Sequence, residues 1–131
     1  MPPRGPAYTL QDFIAACSEG SGVRVLNSAS PTARSDFGLM TDPDIIAWIG
    51  EGGLERPQHA NTELWEKNPD PTQPIWVDSY NFFSGVDYGY VAFMFQSKTK
   101  KWLLKSLKKN DRPDPRPLLL AEQMRKAGLV R

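Results

Sequence analysis

Residues 75–109 read IWVDSYNFFSGVDYGYVAFMFQSKTKKWLLKSLKK, and this stretch decides the fold. It contains three runs, Ile75–Phe82, Tyr88–Gln96 and Lys101–Lys108, rich in the aromatic, β-branched and long apolar residues that favour strands. Between the last two lies Ser97-Lys98-Thr99-Lys100, a polar four-residue connection of a length that suits a tight antiparallel hairpin. The pattern predicts an antiparallel meander. Side chains alternate along a strand, so Trp102, Leu104, Ser106 and Lys108 are expected on one face, and Lys101, Leu103, Lys105, Leu107 and Lys109 on the other. Neither face is purely apolar. The layout is that of an open sheet with one side against helices and the other wet and positive.

Upstream the chain reads as helices. Thr9 precedes Leu10, Phe13, Ile14 and Cys17 at helical spacing, and Gly20-Ser21-Gly22 stops the element. Val23–Leu26 is short and strand-like. Ser30-Pro31 opens a brief second helix ending near Gly38, and Thr41-Asp42-Pro43-Asp44 opens a third that carries Ile45, Ile46, Trp48 and Ile49 to Gly50. Residues 54–74 are polar and broken by prolines, and are expected to form an ordered loop with one helical turn at Thr62–Lys67. Downstream, Asn110–Pro117 contains three prolines and reads as a linker, and Leu118–Ala127 as a final helix closed by Gly128. The expected organisation is a Pro-rich leader (1–8), an α+β domain (9–109) with a sheet of three to four antiparallel strands and helices on one face, a linker (110–117) and a C-terminal helix (118–131).

The 131 residues carry a formal charge of +1, but the charge is segregated. Residues 1–95 hold 5 Lys+Arg against 12 Asp+Glu, a balance of −7, while residues 96–131 hold 11 against 3, a balance of +8. The distribution, rather than the total, points to a partner for the C-terminal part, and a polyanion fits it. A single cysteine, Cys17, excludes an internal disulfide framework and suggests a reducing compartment. With no long apolar run and no apolar core after Met1-Pro2-Pro3-Arg4, no membrane partner is expected and the expected location is cytoplasmic.

Elimination narrows the chemistry. His59 is the only histidine, so a two-histidine acid/base pair and histidine-rich zinc sites are excluded, and its polar setting reads as surface or loop-fixing. Cys17 on the apolar face of the first helix reads as a buried, inert thiol. Asp36, Asp42 and Asp44 have the donors for Mg²⁺, yet Asp42 and Asp44 lie in the first turn of a helix, where the dipole accounts for them. Gly50-Glu51-Gly52-Gly53 follows a helix rather than a strand and is no phosphate cradle. What remains is a group of lysines (98, 100, 101, 105, 108 and 109) beside a strand with Tyr88, Tyr90, Phe93 and Phe95. These lysines either receive nucleic acid or protect a sheet edge and keep the chain soluble.

In order along the chain, Tyr8-Thr9-Leu10, Val23-Arg24, Ser28-Ala29, Phe37-Gly38-Leu39, Ile45-Ile46, Ile75-Trp76-Val77-Asp78-Ser79-Tyr80, Gly89-Tyr90-Val91 and Leu103-Leu104-Lys105-Ser106-Leu107-Lys108 resemble the motility quorum-sensing regulator (MqsR-type) toxins over roughly residues 8–110. These are bacterial mRNA interferases with the RelE-like fold. The resemblance implies a metal-independent, cofactor-free endoribonuclease of a type II toxin–antitoxin pair, with mRNA or ribosome-associated RNA as substrate and a cognate antitoxin as partner. It further implies that Tyr90 is the family's strand tyrosine, Lys108 the lysine near the end of the last strand, and Lys67 the lysine in the loop before the Ile-Trp motif. Val77 stands where the family has glutamine, which removes a polar group. The linker and C-terminal helix have no counterpart.

Metal-free RNA cleavage needs alignment of the ribose 2′-OH with phosphorus, proton transfer, and stabilisation of the charged phosphorane. On the implied site Lys108, flanked by Lys105 and Lys109, stabilises phosphate or donates a proton, and Tyr90 relays a proton or stacks on a base. Lys101, Lys105, Lys109, Tyr80 and Tyr88 are the candidate RNA contacts. The competing class is a non-catalytic basic α+β module that binds nucleic acid or an acidic protein. The C-terminal helix, with Leu118, Leu119, Leu120 and Met124, either closes the core or docks on a partner or a second copy.

Overall fold

The computed structural model describes residues 5–126 and 128. The elements run α1 (Leu10–Glu19), β1 (Val23–Val25), α2 (Ser30–Phe37), α3 (Asp42–Gly50), β2 (Glu55–Leu64), β3 (Trp76–Ser84), β4 (Asp87–Gln96), β5 (Lys101–Lys109) and α4 (Arg116–Lys126). The α+β class agrees with the sequence reading. Among the described residues the sheet, however, has five strands rather than three to four, in the order β1-β5-β4-β3-β2. It is mixed, because β1 joins β5 in parallel while the other neighbours are antiparallel.

Most of the discrepancy is β2, which occupies half of the segment expected to be a loop, including part of the expected helical turn at Thr62–Lys67. Its sequence, ERPQHANTEL, shows no apolar alternation because it is an edge strand, and only Thr62 is buried. Pro57 is tolerated there, and two register shifts, between Glu55 and Gln58 and between His59 and Asn61, kink the edge. The strand exists because β3 offers it a hydrogen-bonding partner, which no local pattern reveals.

Of the first three helices, α3 starts on a side-chain cap, whereas Thr9 before α1 and Ala29 before α2 make none. Thr41 Oγ1 accepts the Asp44 N–H at 3.2 Å, with Asp42 and Asp44 in the first turn of α3. Asp36 has another use: its Oδ2 accepts the Lys109 N–H at 2.9 Å, tying α2 to β5. No group of three or more His, Cys, Asp or Glu that could hold a metal ion occurs among the described residues. No helix among them is long and apolar enough to cross a membrane.

The helix-side core holds Phe13, Cys17, Ala33, Ile45 and Ile49 against Tyr80, Phe82, Val91, Phe93, Leu104 and Leu107. Phe13 stacks on Phe93 with ring centroids 4.2 Å apart and planes 1° from parallel. Burial pushes the Cys17 thiol up to about 12, so it is inert, as the sequence implied. The α1 and α3 backbones meet closely at Gly50: a β-carbon there would fall 2.5 Å from Ser18 N and 2.6 Å from Ser18 Cα. Main-chain atoms cannot turn aside, so Gly50→Ala is expected to lower stability by about 2–3 kcal/mol in urea unfolding, despite the better helix propensity of alanine.

Asp78 is fully buried on β3. Its Oδ1 accepts the Ala7 N–H at 2.9 Å and the Thr62 hydroxyl at 2.6 Å, and its Oδ2 accepts the Tyr8 N–H at 2.9 Å. His59 Nε2 lies 2.7 Å from Thr62 Oγ1. Because that hydroxyl donates to Asp78, His59 Nε2 is the donor to it. His59 is therefore an exposed residue that props a buried carboxylate. Part of the segment read as a leader is thus bolted to the sheet.

The linker is a strap rather than a tether. Asn110 Nδ2 donates to Asn81 Oδ1 at 2.7 Å and to Gly89 O at 3.0 Å. Arg116 donates to the Gly85 and Val86 carbonyls at 2.6 and 2.9 Å, pairs with Asp114 at 2.6 Å, and lies 4.4 Å over the Phe83 ring. Beyond it α4 does not close the core: none of its described residues is buried, and Leu118, Leu119 and Leu120 are 72%, 52% and 58% exposed. The end of the expected helix, at Ala127, lies outside the described residues.

Candidate functional site

The sheet face opposite the helices carries the candidate site. On β5 the expected alternation fails at one residue. Ala92 pairs with Ser106 but Phe93 pairs with Leu104, so Lys105 is an extra, bulged residue. The bulge resolves the mixed faces of the simple alternation. Leu104 and Leu107 both turn toward the helices, and Ser106 and Lys108 both turn toward the open side. In the row across the sheet, Asn81 pairs with Tyr90 and Tyr90 with Lys108. In the next row Asn61 pairs with Ser79, Ser79 with Ala92, and Ala92 with Ser106.

These rows floor a polar cavity of about 400 Å³, with walls from Lys105, Asn110, Asp111 and Arg112. The volume falls in the range of small-ligand sites. Lys105, Lys108 and Arg112 face it against a single carboxylate, Asp111. Lys108 Nζ lies 3.1 Å from Asp111 Oδ2 and 5.6 Å from the centre of the Tyr90 ring, within cation–π reach. A cavity of excess positive charge, amide and hydroxyl donors, and one aromatic face suits an anionic ligand that also carries a stacking group.

Among the expected site residues, Tyr90, Lys108 and Lys105 come together here. Tyr88 sits two residues along β4 on the same face, packed on Phe83 at 5.2 Å, and does not line the cavity. Lys109 is exposed at the end of β5. Lys101 begins β5 opposite Gln96, seven residues from Lys108 and therefore about 23 Å away along the strand. Lys67 lies in the turn after β2, beyond the Leu64–Trp76 pair, and Trp76 is about 17 Å along β3 from Asn81. Tyr80 is on the other face, 7% exposed and stacked on Phe93 at 5.9 Å. Burial, with the Asp78 charge adding to it, raises its hydroxyl above the ordinary tyrosine range. Val77 is buried in a small apolar cluster with Ala92, Met94 and Leu103.

No protein-family model, curated protein or solved structure matches the chain.

The sequence reading did not single out Asn61, Ser79, Asn81, Ser106, Asn110, Asp111 and Arg112. Asn110 to Arg112 were masked by the prolines that mark a linker, although Asx residues ahead of prolines also mark turns that fasten a strap. The polar residues of β2 and β3 carry no signal without the register that aligns them. Together the lining groups can bind a phosphate through Lys105, Lys108 and Arg112 and hold a base or sugar by stacking and amide hydrogen bonds.

Proposed function

We propose that the chain is a metal-independent endoribonuclease, an mRNA interferase toxin neutralised by a cognate antitoxin. The observation that carries this reading is the cross-strand pair of Tyr90 and Lys108 on the helix-free face, inside a polar cavity that Lys105 and Arg112 also line. The MqsR-type resemblance nominates the same two residues from the sequence. In this reading Lys108 neutralises the non-bridging oxygens of the scissile phosphate, Arg112 and Lys105 hold the flanking phosphates, and Tyr90 supplies a proton to the leaving 5′-oxygen. The Val77 position lends the site no polar group, so Asn81 and Asn110 are the amides available to orient ribose or base.

Incubation of the purified chain with an mRNA in EDTA tests it. Cleavage is expected at an undiminished rate, leaving 2′,3′-cyclic phosphate and 5′-hydroxyl ends. Cleavage that vanishes on chelation, or no cleavage at all, overturns the reading.

A second reading, a non-catalytic module for RNA or an acidic protein, is favoured by the lysines the cavity does not use. Lys98, Lys100 and Lys101 project from the β4–β5 hairpin at the other end of the sheet. Retained RNA binding without cleavage selects this alternative.

A further inference from the structure

We propose that Asp111, on the strap beyond the sheet, is the proton acceptor of the site. The inference rests on the nuclease reading above and adds to it the group that reading lacks. Lysine and tyrosine in their resting forms are proton donors, and Lys108, Tyr90, Lys105 and Arg112 are all donors of this kind. Someone must take the 2′-hydroxyl proton. The residues lining the cavity include no histidine, and Asp111 is their one carboxylate.

Its position is built by the strap. Asn110 is fixed by hydrogen bonds to Asn81 and Gly89, and its own Oδ1 accepts the Arg112 N–H at 2.9 Å, so Asp111 sits at the apex of a closed turn. From there Oδ2 reaches Lys108 Nζ at 3.1 Å. Lys108 thus has contacts with both Asp111 and the Tyr90 ring. In-line displacement needs base and acid on opposite sides of phosphorus, with positive charge on the equatorial oxygens between them. Asp111 as base, Lys108 on the phosphate and Tyr90 as acid give each role its own group, with Lys108 in contact with the other two, whereas an acid role for Lys108 would place acid and base in mutual contact.

The step balances without any co-reactant. The Asp111 carboxylate takes the proton of the ribose 2′-hydroxyl, and the 2′-oxygen forms a bond to phosphorus as the bond to the 5′-oxygen breaks. Tyr90 gives its proton to that oxygen. The products are a 2′,3′-cyclic phosphate and a 5′-hydroxyl; Asp111 then holds one extra proton and Tyr90 lacks one, and exchange with water restores both.

The full chain carrying Asp111→Asn and, separately, Asp111→Glu decides it on an RNA oligonucleotide. The Asp111 side chain is 85% exposed, so both variants are expected to melt with the parent. Asn is expected to lower kcat by roughly 100-fold or more with KM within about twofold, and Glu to restore part of the rate. The parent's rate is expected to fall on the acid side of its pH profile, and the Asn variant's to stay flat there. The charged and titratable groups facing Asp111 are Lys105 and Lys108 from β5, Tyr90 from β4 and Arg112 from the strap. An Asn variant as fast as the parent, a faster one in which the carboxylate had only blocked the phosphate site, or a loss confined to KM overturns the assignment and leaves the nuclease reading standing. A parent chain that cuts no RNA overturns both.

Discussion

Lys108→Ala combined with Tyr90→Phe is expected to lower RNA cleavage by roughly 1,000-fold or more and to abolish growth arrest in cells expressing the chain. A positioned acid and a preorganised cation each contribute on the order of 100- to 1,000-fold, and groups acting as one unit lose less than the product of their separate effects. The fold is expected to survive. The Lys108 side chain is 36% exposed, its pair with Asp111 is a surface contact of about 1 kcal/mol or less, and Tyr→Phe removes only a hydroxyl. Circular dichroism melts of parent and variant are therefore expected to coincide. Undiminished cleavage and arrest in the double variant would remove Tyr90 and Lys108 from the chemistry. Unimpaired RNA binding with no cleavage by either protein would instead identify a binding module.

The second large effect is on stability. Asp78→Ala is expected to cost about 3–5 kcal/mol, read as a lower midpoint in urea unfolding with the slope of the transition unchanged. The carboxylate collects three donors, the Ala7 and Tyr8 N–H groups and the Thr62 hydroxyl, in a place from which water is excluded. Without it the Ala7 and Tyr8 N–H groups lose their acceptor and the Thr62 hydroxyl keeps only the Gly5 carbonyl at 3.3 Å, at about 1–3 kcal/mol for each buried group left unpaired, partly offset by relief from burying a charge. Asp78→Asn is expected to cost nearly as much, since one amide nitrogen would face donors where an oxygen accepts now. The amide protons of Ala7 and Tyr8 are expected to exchange faster in both variants. A loss under about 1 kcal/mol would mean that the segment from Gly5 to Thr9 is held mainly by Tyr8, through its packing and its hydroxyl bond to the Trp76 carbonyl at 2.7 Å.

Much of the architecture was legible locally. Caps and breakers such as Thr41, Pro43, Gly20 and Gly38 bound the first three helices to within a residue or so, because capping is chemistry between neighbours in sequence. The apolar runs of β3, β4 and β5 and the polar hairpin between the last two were equally plain, since strands with a buried face must declare it. The candidate site was legible in part. Tyr90 and Lys108 stood out by residue type, order and resemblance, while Tyr80, the same residue type on a neighbouring strand, turned out to face the helix core.

What the amino-acid sequence determined by itself was the kind of protein: an α+β chain with acidic helices first, a basic hairpin last, one histidine and one cysteine. These follow from composition and from interactions spanning a few residues. Only the tertiary structure decided that ERPQHANTEL is a strand, that the Lys105 bulge turns Leu107 inward and Ser106 and Lys108 outward, and that the strap brings Asp111 to Lys108. Each depends on register between segments far apart in the chain. Hydrogen bonding across a sheet edge is indifferent to side-chain pattern, and a single extra residue reverses every face assignment after it.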